Sequence, residues 1–171
     1  TPKPSSAASD VYKRQALVIG KEGNNITEEK AQDHVFGYCI VNDISERSWQ
    51  KERGGQWVKG KSIAGPCGPY LVTKDEIKDI NNINLSLDVN GERRQTGNTK
   101  RMIFSFDFLI SHISQFMTLY PGTIITTGTP AGTAMEMPKP KFLQNGDKLS
   151  LKVDFLGEQN QFCLLYTSPS P

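Results

Sequence analysis

The sequence predicts a mainly β, mixed α+β domain, and three observations carry that prediction. Short apolar runs, several of them alternating with period two, recur along the chain and are bounded by Gly, Pro or Asn turns. Only two stretches have helical spacing. There is no β–α–β alternation, no G-x-G-x-x-G and no Walker loop, which argues against a doubly wound sheet.

The 171 residues suffice for one domain with a sizeable core. The net charge of +2, with both signs interspersed, makes no basic stripe for nucleic acid. No apolar run is long enough to span a bilayer, and Thr1–Asp10 lacks the charged start and apolar middle of a secretory signal. Cys39, Cys67 and Cys163 are widely spaced without a C-x-x-C pair, so a reducing cytoplasm is expected rather than a disulfide framework. Cys39, inside an apolar run, reads as a small core residue.

Residues 1–15 and 164–171 are rich in Ser, Pro or basic residues and have no periodicity, so they are expected to be disordered tails. Ser9–Gln15 and Leu164–Pro171 also look like translated adaptor sequence and are read as foreign to the domain, which is placed at 16–163. Ala16–Ile19 is a short strand ended by Gly20, and Gly23-Asn24-Asn25 is a turn. Thr27 is placed to cap a short helix through Val35, with Glu28 and Glu29 in its first turn. His34, at that helix's end, is given no role.

Gly37–Gln50 (G-Y-C-I-V-N-D-I-S-E-R-S-W-Q) is the stretch around which the chain is organised. Tyr38, Ile40 and Val41 suit a buried strand, which then delivers Asn42, Asp43, Ser45, Glu46, Arg47 and Gln50. Gly60-Lys61-Ser62 follows shortly after. A carboxylate at a strand end with Arg, Gln and Lys nearby suits a metal-assisted site for an anionic substrate. On these residues alone, a strand ending in a solvated turn stays open.

Lys61–Pro69 is a Gly/Pro loop leading into a strand at Tyr70–Thr73. Leu85–Val89 alternates, Asn90-Gly91 is the strongest hairpin signal, and Glu92–Gln95 returns. Ile103–Met117 has helical spacing, with Phe106, Leu109, Ile110, Ile113 and Phe116 on one stripe and His112 off it. A strand at Thr123–Thr126 runs into Thr127-Gly128-Thr129-Pro130-Ala131-Gly132, a small-residue loop whose N–H groups can approach a ligand oxygen. By itself that string marks a tight turn. A last hairpin follows, with Leu149, Leu151 and Val153 alternating and Gln159–Phe162 returning after Gly157.

Taken in order, these motifs resemble a known family. G-Y-x-x-x-N-D-I-S-x-R-x-x-Q at 37–50 is followed by Q-W-V-K-G-K-S at 56–62 and G-P-C-G-P-Y-L-V-T at 65–73. V-N-G-E-R-R-Q-T-G-N-T at 89–99, M-I-F-S-F at 102–106 and L-Y-P-G-T-I-I-T-T-G-T-P-A-G at 119–132 complete the series. The series resembles the C-terminal catalytic domain of the fumarylacetoacetate hydrolase family across nearly all of 16–162. R-G-G-Q-W-V-K-G-K-S at 53–62 is closest in look to bacterial ureidoglycolate lyase and 2-hydroxyhepta-2,4-diene-1,7-dioate isomerase types.

The resemblance implies a β-roll of mixed sheets with two short helices, in a cytoplasmic homodimer. It implies a divalent cation, usually Mg²⁺ with Mn²⁺ or Ca²⁺ as alternatives, and a small 2-oxo or β-diketo acid substrate. C–C cleavage, decarboxylation or isomerisation would follow, with no nucleic-acid or membrane partner. By the same resemblance Asp43 is a metal ligand and Lys61 the catalytic lysine. Arg47, Gln50 and Thr129 bind substrate, with Thr129 holding the substrate's carboxylate.

The sequence also departs from the family pattern. The family's other two metal ligands form a Glu-x-Glu before the A-L-V-I-G strand, and here those positions are Tyr12 and Arg14. The family's lid segment, which lies further upstream, has no counterpart here, and the loop after Lys61 lacks the usual Asp-Thr-Phe. Two classes of function therefore stand. One is a fragment of a metal-dependent hydrolase, lyase or isomerase. The other is a family-fold protein without a metal site, acting as a binding or scaffold module.

Overall fold

In the computed structural model of the protein, residues 9–47 and 65–164 are described. Eight strands in that range form two four-stranded sheets. They are β1 (Ser9–Ile19), β2 (Val35–Glu46), β3 (Val72–Thr73), β4 (Asn84–Val89), β5 (Glu92–Asn98), β6 (Ile124–Thr126), β7 (Lys148–Val153) and β8 (Gly157–Phe162). The first sheet has the order β3-β2-β1-β6 and the second β5-β4-β7-β8. Every pairing among these strands is antiparallel.

The β1–β2 pair is the long spine, running from Ser9↔Glu46 to Ile19↔Val35. Leu17, Ile19, Tyr38 and Ile40 belong to the main core, whereas Ala16, Val18, Cys39 and Val41 form a second, smaller cluster. Both faces of the pair are thus covered. That is why A-L-V-I and Y-C-I-V read as continuous apolar runs rather than alternating ones. Two expectations are corrected here. Ser9–Gln15 belongs to β1 rather than to a disordered tail. β2 continues to Glu46, so Asn42, Asp43 and Ser45 lie within the strand, not beyond its end.

The second sheet follows its alternation. Leu85, Leu87 and Val89 pair with Val153, Leu151 and Leu149, and all six are buried. These residues join Leu17, Ile19, Tyr38 and Ile40 in one core between the sheets. Both helical stretches are present. The first is a 3-10 helix, Glu28–His34, and the second an α-helix, α1 (Phe106–Ser114), shorter than its hydrophobic pattern. Ser105 starts α1 by accepting the Phe108 N–H through its hydroxyl at 3.0 Å. Phe106 and Ile110 face the core, while Phe116 is 76% exposed and so leaves the expected stripe. No helix among the described residues is long and apolar enough to cross a membrane.

The β4–β5 hairpin turns where the sequence places it. Asn90 and Gly91 have φ of 52° and 80°, the two left-handed positions that an Asn-Gly turn supplies. A side chain at Gly91 would meet nothing within 4 Å, so a substitution there costs backbone strain alone. Gly91→Val should lower stability by about 1–3 kcal/mol. An unchanged urea midpoint would contradict that.

Candidate active site

The alternation of β2 sets two neighbouring residues to opposite tasks. Asn42 is fully buried and donates through Nδ2 to Gln161 Oε1 of β8 at 2.6 Å. Gln161 Nε2 donates to Gln159 Oε1 at 2.8 Å, and Gln159 Nε2 lies 2.5 Å from Gly68 O and 3.2 Å from Ile40 O. This partly buried amide chain ties the second sheet to β2 and to the Gly65–Pro69 segment beside it. Backbone bonds reinforce the join, from Asn42 N–H to Pro66 O (2.9 Å) and from Gly68 N–H to Ile40 O (3.0 Å).

Asp43 takes the other phase of the strand and is half-buried. Its cross-strand partner is Tyr12, and Val41 is opposite Arg14. Positions 12 and 14 therefore fall on the same face of the pair as 41 and 43. That is the placement a Glu-x-Glu would need to meet Asp43. Arg47, just past the end of β2, is 6% exposed. Gln50 and Lys61 lie outside the described residues.

Thr129 approaches from the other side of β1. β6 pairs with Ala16–Val18, and Thr127 then closes on Gln15 O through its N–H (3.1 Å) and its hydroxyl (3.0 Å). β6 runs antiparallel to β1, so the chain leaves it toward the end of β1 where Asp43 pairs. Thr129 Oγ1 accepts from Gln95 Nε2 at 3.2 Å, and the same amide reaches Pro130 O at 3.0 Å. Gln95 is 1% exposed. A groove of about 500 Å³ opens between this loop and the Thr96–Phe104 stretch, and Asp43 does not line it.

Sequence reasoning missed Gln95. The available signal was a polar residue at the inward phase of β5, where its neighbours Thr96 and Arg94 are more exposed. It also missed how the loop is closed. Gly132, at φ 109°, lies against Arg94, and a Cβ there would come 2.2 Å from Arg94 O. Glu136 Oε2 accepts the N–H groups of Gly132 (2.7 Å) and Thr133 (2.9 Å).

Those two bonds, Thr133 first and Gly132 second, hold the Glu136 carboxyl below its ordinary value of 4.5. A depressed folded-state value gives stability that is complete above 4.5 and is lost as pH falls through the lower folded value. Glu136→Gln should therefore cost about 0.5–1 kcal/mol at neutral pH, and the gap from wild type should close in acid. Urea midpoints measured above and below that carboxyl range check this, and a gap independent of pH would contradict it.

Comparison with known proteins bears on the family and the fold. Residues 14–162 match the fumarylacetoacetate (FAA) hydrolase C-terminal family. A protein of Burkholderia cenocepacia named "Putative hydrolase" is 48% identical over 159 residues, covering 91% of this chain and 56% of its own length. This chain thus spans about half the length of the curated relatives it matches. The structure of a fumarylacetoacetate hydrolase from Exiguobacterium antarcticum superposes with a TM-score of 0.88 at 37% identity, covering 95% of this chain and 58% of that one. A 2-hydroxyhepta-2,4-diene-1,7-dioate isomerase from Mycobacterium marinum gives 0.79 at 34%, covering 91% and 58%. A fumarylpyruvate hydrolase from Pseudomonas aeruginosa, in complex with Mn²⁺ and pyruvate, gives 0.82 at 29%, covering 97% and 70%.

Proposed function

This chain belongs to the fumarylacetoacetate hydrolase family, and we propose that it is the catalytic-domain portion of an enzyme that cleaves, decarboxylates or isomerises a small 2-oxo or β-diketo acid. The observation that carries the reading is the convergence of Asp43 and the Thr127–Gly132 loop on one end of β1 from its two sides. Hydrolases and isomerases of such acids are among its structural neighbours.

The divalent cation implied by the family does not fit the residues present. Among the described residues no three His, Cys, Asp or Glu side chains cluster as a metal site. Asp43 has Tyr12 across from it, with Arg14 two positions on, where paired carboxylates would be needed. Mg²⁺ is strongly hydrated, demands hard oxygen ligands, and is repelled by a guanidinium. Asp43 is proposed as one ligand of a site whose other carboxylates this chain lacks. Mg²⁺, Mn²⁺ and Ca²⁺ are the cations such a site would take.

What the chain's own residues supply is binding and orientation. Thr129 accepts from Gln95 and donates its own proton to Pro130 O over a long 3.4 Å, a bond it would exchange for one to a substrate carboxylate. Arg47 offers a planar fork suited to a second carboxylate or enolate oxygen. Gln50 would hydrogen-bond substrate or water, and Lys61 would place a positive charge where an oxyanion develops.

Amide NMR during a pyruvate titration tests the reading. Shifts should concentrate at Asp43 and Thr127–Gly132 and should shrink in Thr129→Val. Shifts confined to the β7–β8 hairpin, or none at millimolar pyruvate, would overturn it. The absence of carboxylates at 12 and 14 favours a second reading, a module that binds oxo acids without turning them over. Consumption of a 2,4-diketo acid by the unaltered chain with Mg²⁺ would exclude that second reading.

A further inference from the structure

Two thiols sit against each other beside the site. Cys39 Sγ in β2 and Cys67 Sγ in the Gly65–Pro69 segment are 3.3 Å apart. Cys39 is 2% exposed, whereas Cys67 is open to solvent. Their approach is built into the backbone. Cys67 bridges Val41, and the bonds from Asn42 N–H to Pro66 O and from Gly68 N–H to Ile40 O lie on either side of it. Gln159 holds Gly68 O from beneath. A disulfide has its sulfurs about 2.05 Å apart, so roughly 1.3 Å of further approach would close the bond.

We propose that Cys67 and Cys39 are a peroxide-reactive modification site that closes to an intrachain disulfide. Cys67 is the thiol an oxidant can reach. Its thiolate attacks one oxygen of hydrogen peroxide, the O–O bond breaks, and hydroxide leaves and takes up a proton as water. Cys67 is then a sulfenic acid. The Cys39 sulfur attacks the Cys67 sulfur, the S–O bond breaks, and the hydroxyl departs as water with the Cys39 proton. Two thiols lose two electrons, one peroxide is reduced, and two waters form. The order of attack follows from burial, which with the Cys67 thiol beside it pushes the Cys39 thiol up to about 12. Cys39 is thus the resolving partner and not the first nucleophile. The reducing compartment expected from the cysteine spacing is compatible with this, because neither Cys39 nor Cys67 is in a disulfide.

The bond would bracket residues 40–66, the segment that holds Asp43, Arg47, Gln50 and Lys61. A regulatory consequence rests on the roles proposed above for those four residues. The bond itself does not, and it is read on the protein rather than on turnover.

The experiment is brief exposure of the whole chain to hydrogen peroxide, alkylation, and peptide mass spectrometry without reduction. The expected product is a Cys39–Cys67 peptide pair lighter by two hydrogens, reversed by dithiothreitol, with Cys163 still alkylated. Cys67→Ser should abolish it. Cys39→Ser should leave a Cys67 sulfenic acid that dimedone traps. Over-oxidation of Cys67 to the sulfinic acid in the wild type without a cross-link would overturn the proposal. So would a cross-link between two chains, or oxidation of Cys39 in Cys67→Ser.

Discussion

Truncating Phe106 to alanine should cost this domain about 3–5 kcal/mol, the range for emptying a fully buried aromatic site. Phe106 is 1% exposed and meets Tyr38 edge-on, with ring centroids 5.5 Å apart at 76°. It is the first residue of α1, so it anchors the helix to the β1–β2 spine at the point where the helix starts. The hole would be hard to collapse. Tyr38 is itself held in place, its hydroxyl donating to Gln32 Oε1 at 3.0 Å, and its backbone is paired on both sides, to Leu17 and to Val72. Urea unfolding gives the number, and the midpoint should fall without a change in slope. A loss under about 1 kcal/mol would mean that the helix is not the wedge behind β2. Because Asp43 lies five residues along the same strand, the variant should also blunt the pyruvate-induced shifts.

The second large effect is a gain. Tyr12→Glu combined with Arg14→Glu should raise Mg²⁺ affinity by about a hundredfold or more, equivalent to about 2.7 kcal/mol. The register places those positions on the face of Asp43, one directly across and the other two residues on. The double change removes one positive charge and adds two negative ones, one directly across from the aspartate and one two residues further along β1. Coulomb attraction at short range is large enough to offset partial dehydration of the cation. Titration calorimetry on the original and altered chains reads the difference. Tight Mg²⁺ binding by the original chain would contradict the reading, because a single carboxylate opposite tyrosine should not hold it.

Much of the fold was legible because the pattern is local. L-S-L-D-V and L-S-L-K-V alternate, Asn90-Gly91 supplies two left-handed positions, and Ser105 caps its helix, so each element declares itself within a few residues. The length of β1 was not legible. Ser9–Gln15 has a composition that favours no strand, and only its pairing with the far half of β2 makes it one. Asp43 and Thr129 were singled out through ordered motifs, and the strand order brings them to one end of β1. Gln95, Gln159 and Gln161 were invisible because a lone glutamine in a strand looks the same whether it is solvated or buried. Their partners are long-range, such as Gln161 with Asn42, and no spacing encodes them. The contact between Cys39 and Cys67 was hidden for the same reason, since 28 residues separate them.

The central claim is that the end of β1 shared by Asp43 and the Thr127–Gly132 loop is where the chemistry occurs. Paramagnetic broadening of amide signals by Mn²⁺, in the chain carrying Tyr12→Glu and Arg14→Glu, tests it most directly. The expected result is broadening centred on Asp43 and reaching Thr129, with the Asn145–Asp147 turn spared, and its disappearance on adding Asp43→Ala. Broadening centred elsewhere, or surviving that last substitution, would contradict the claim.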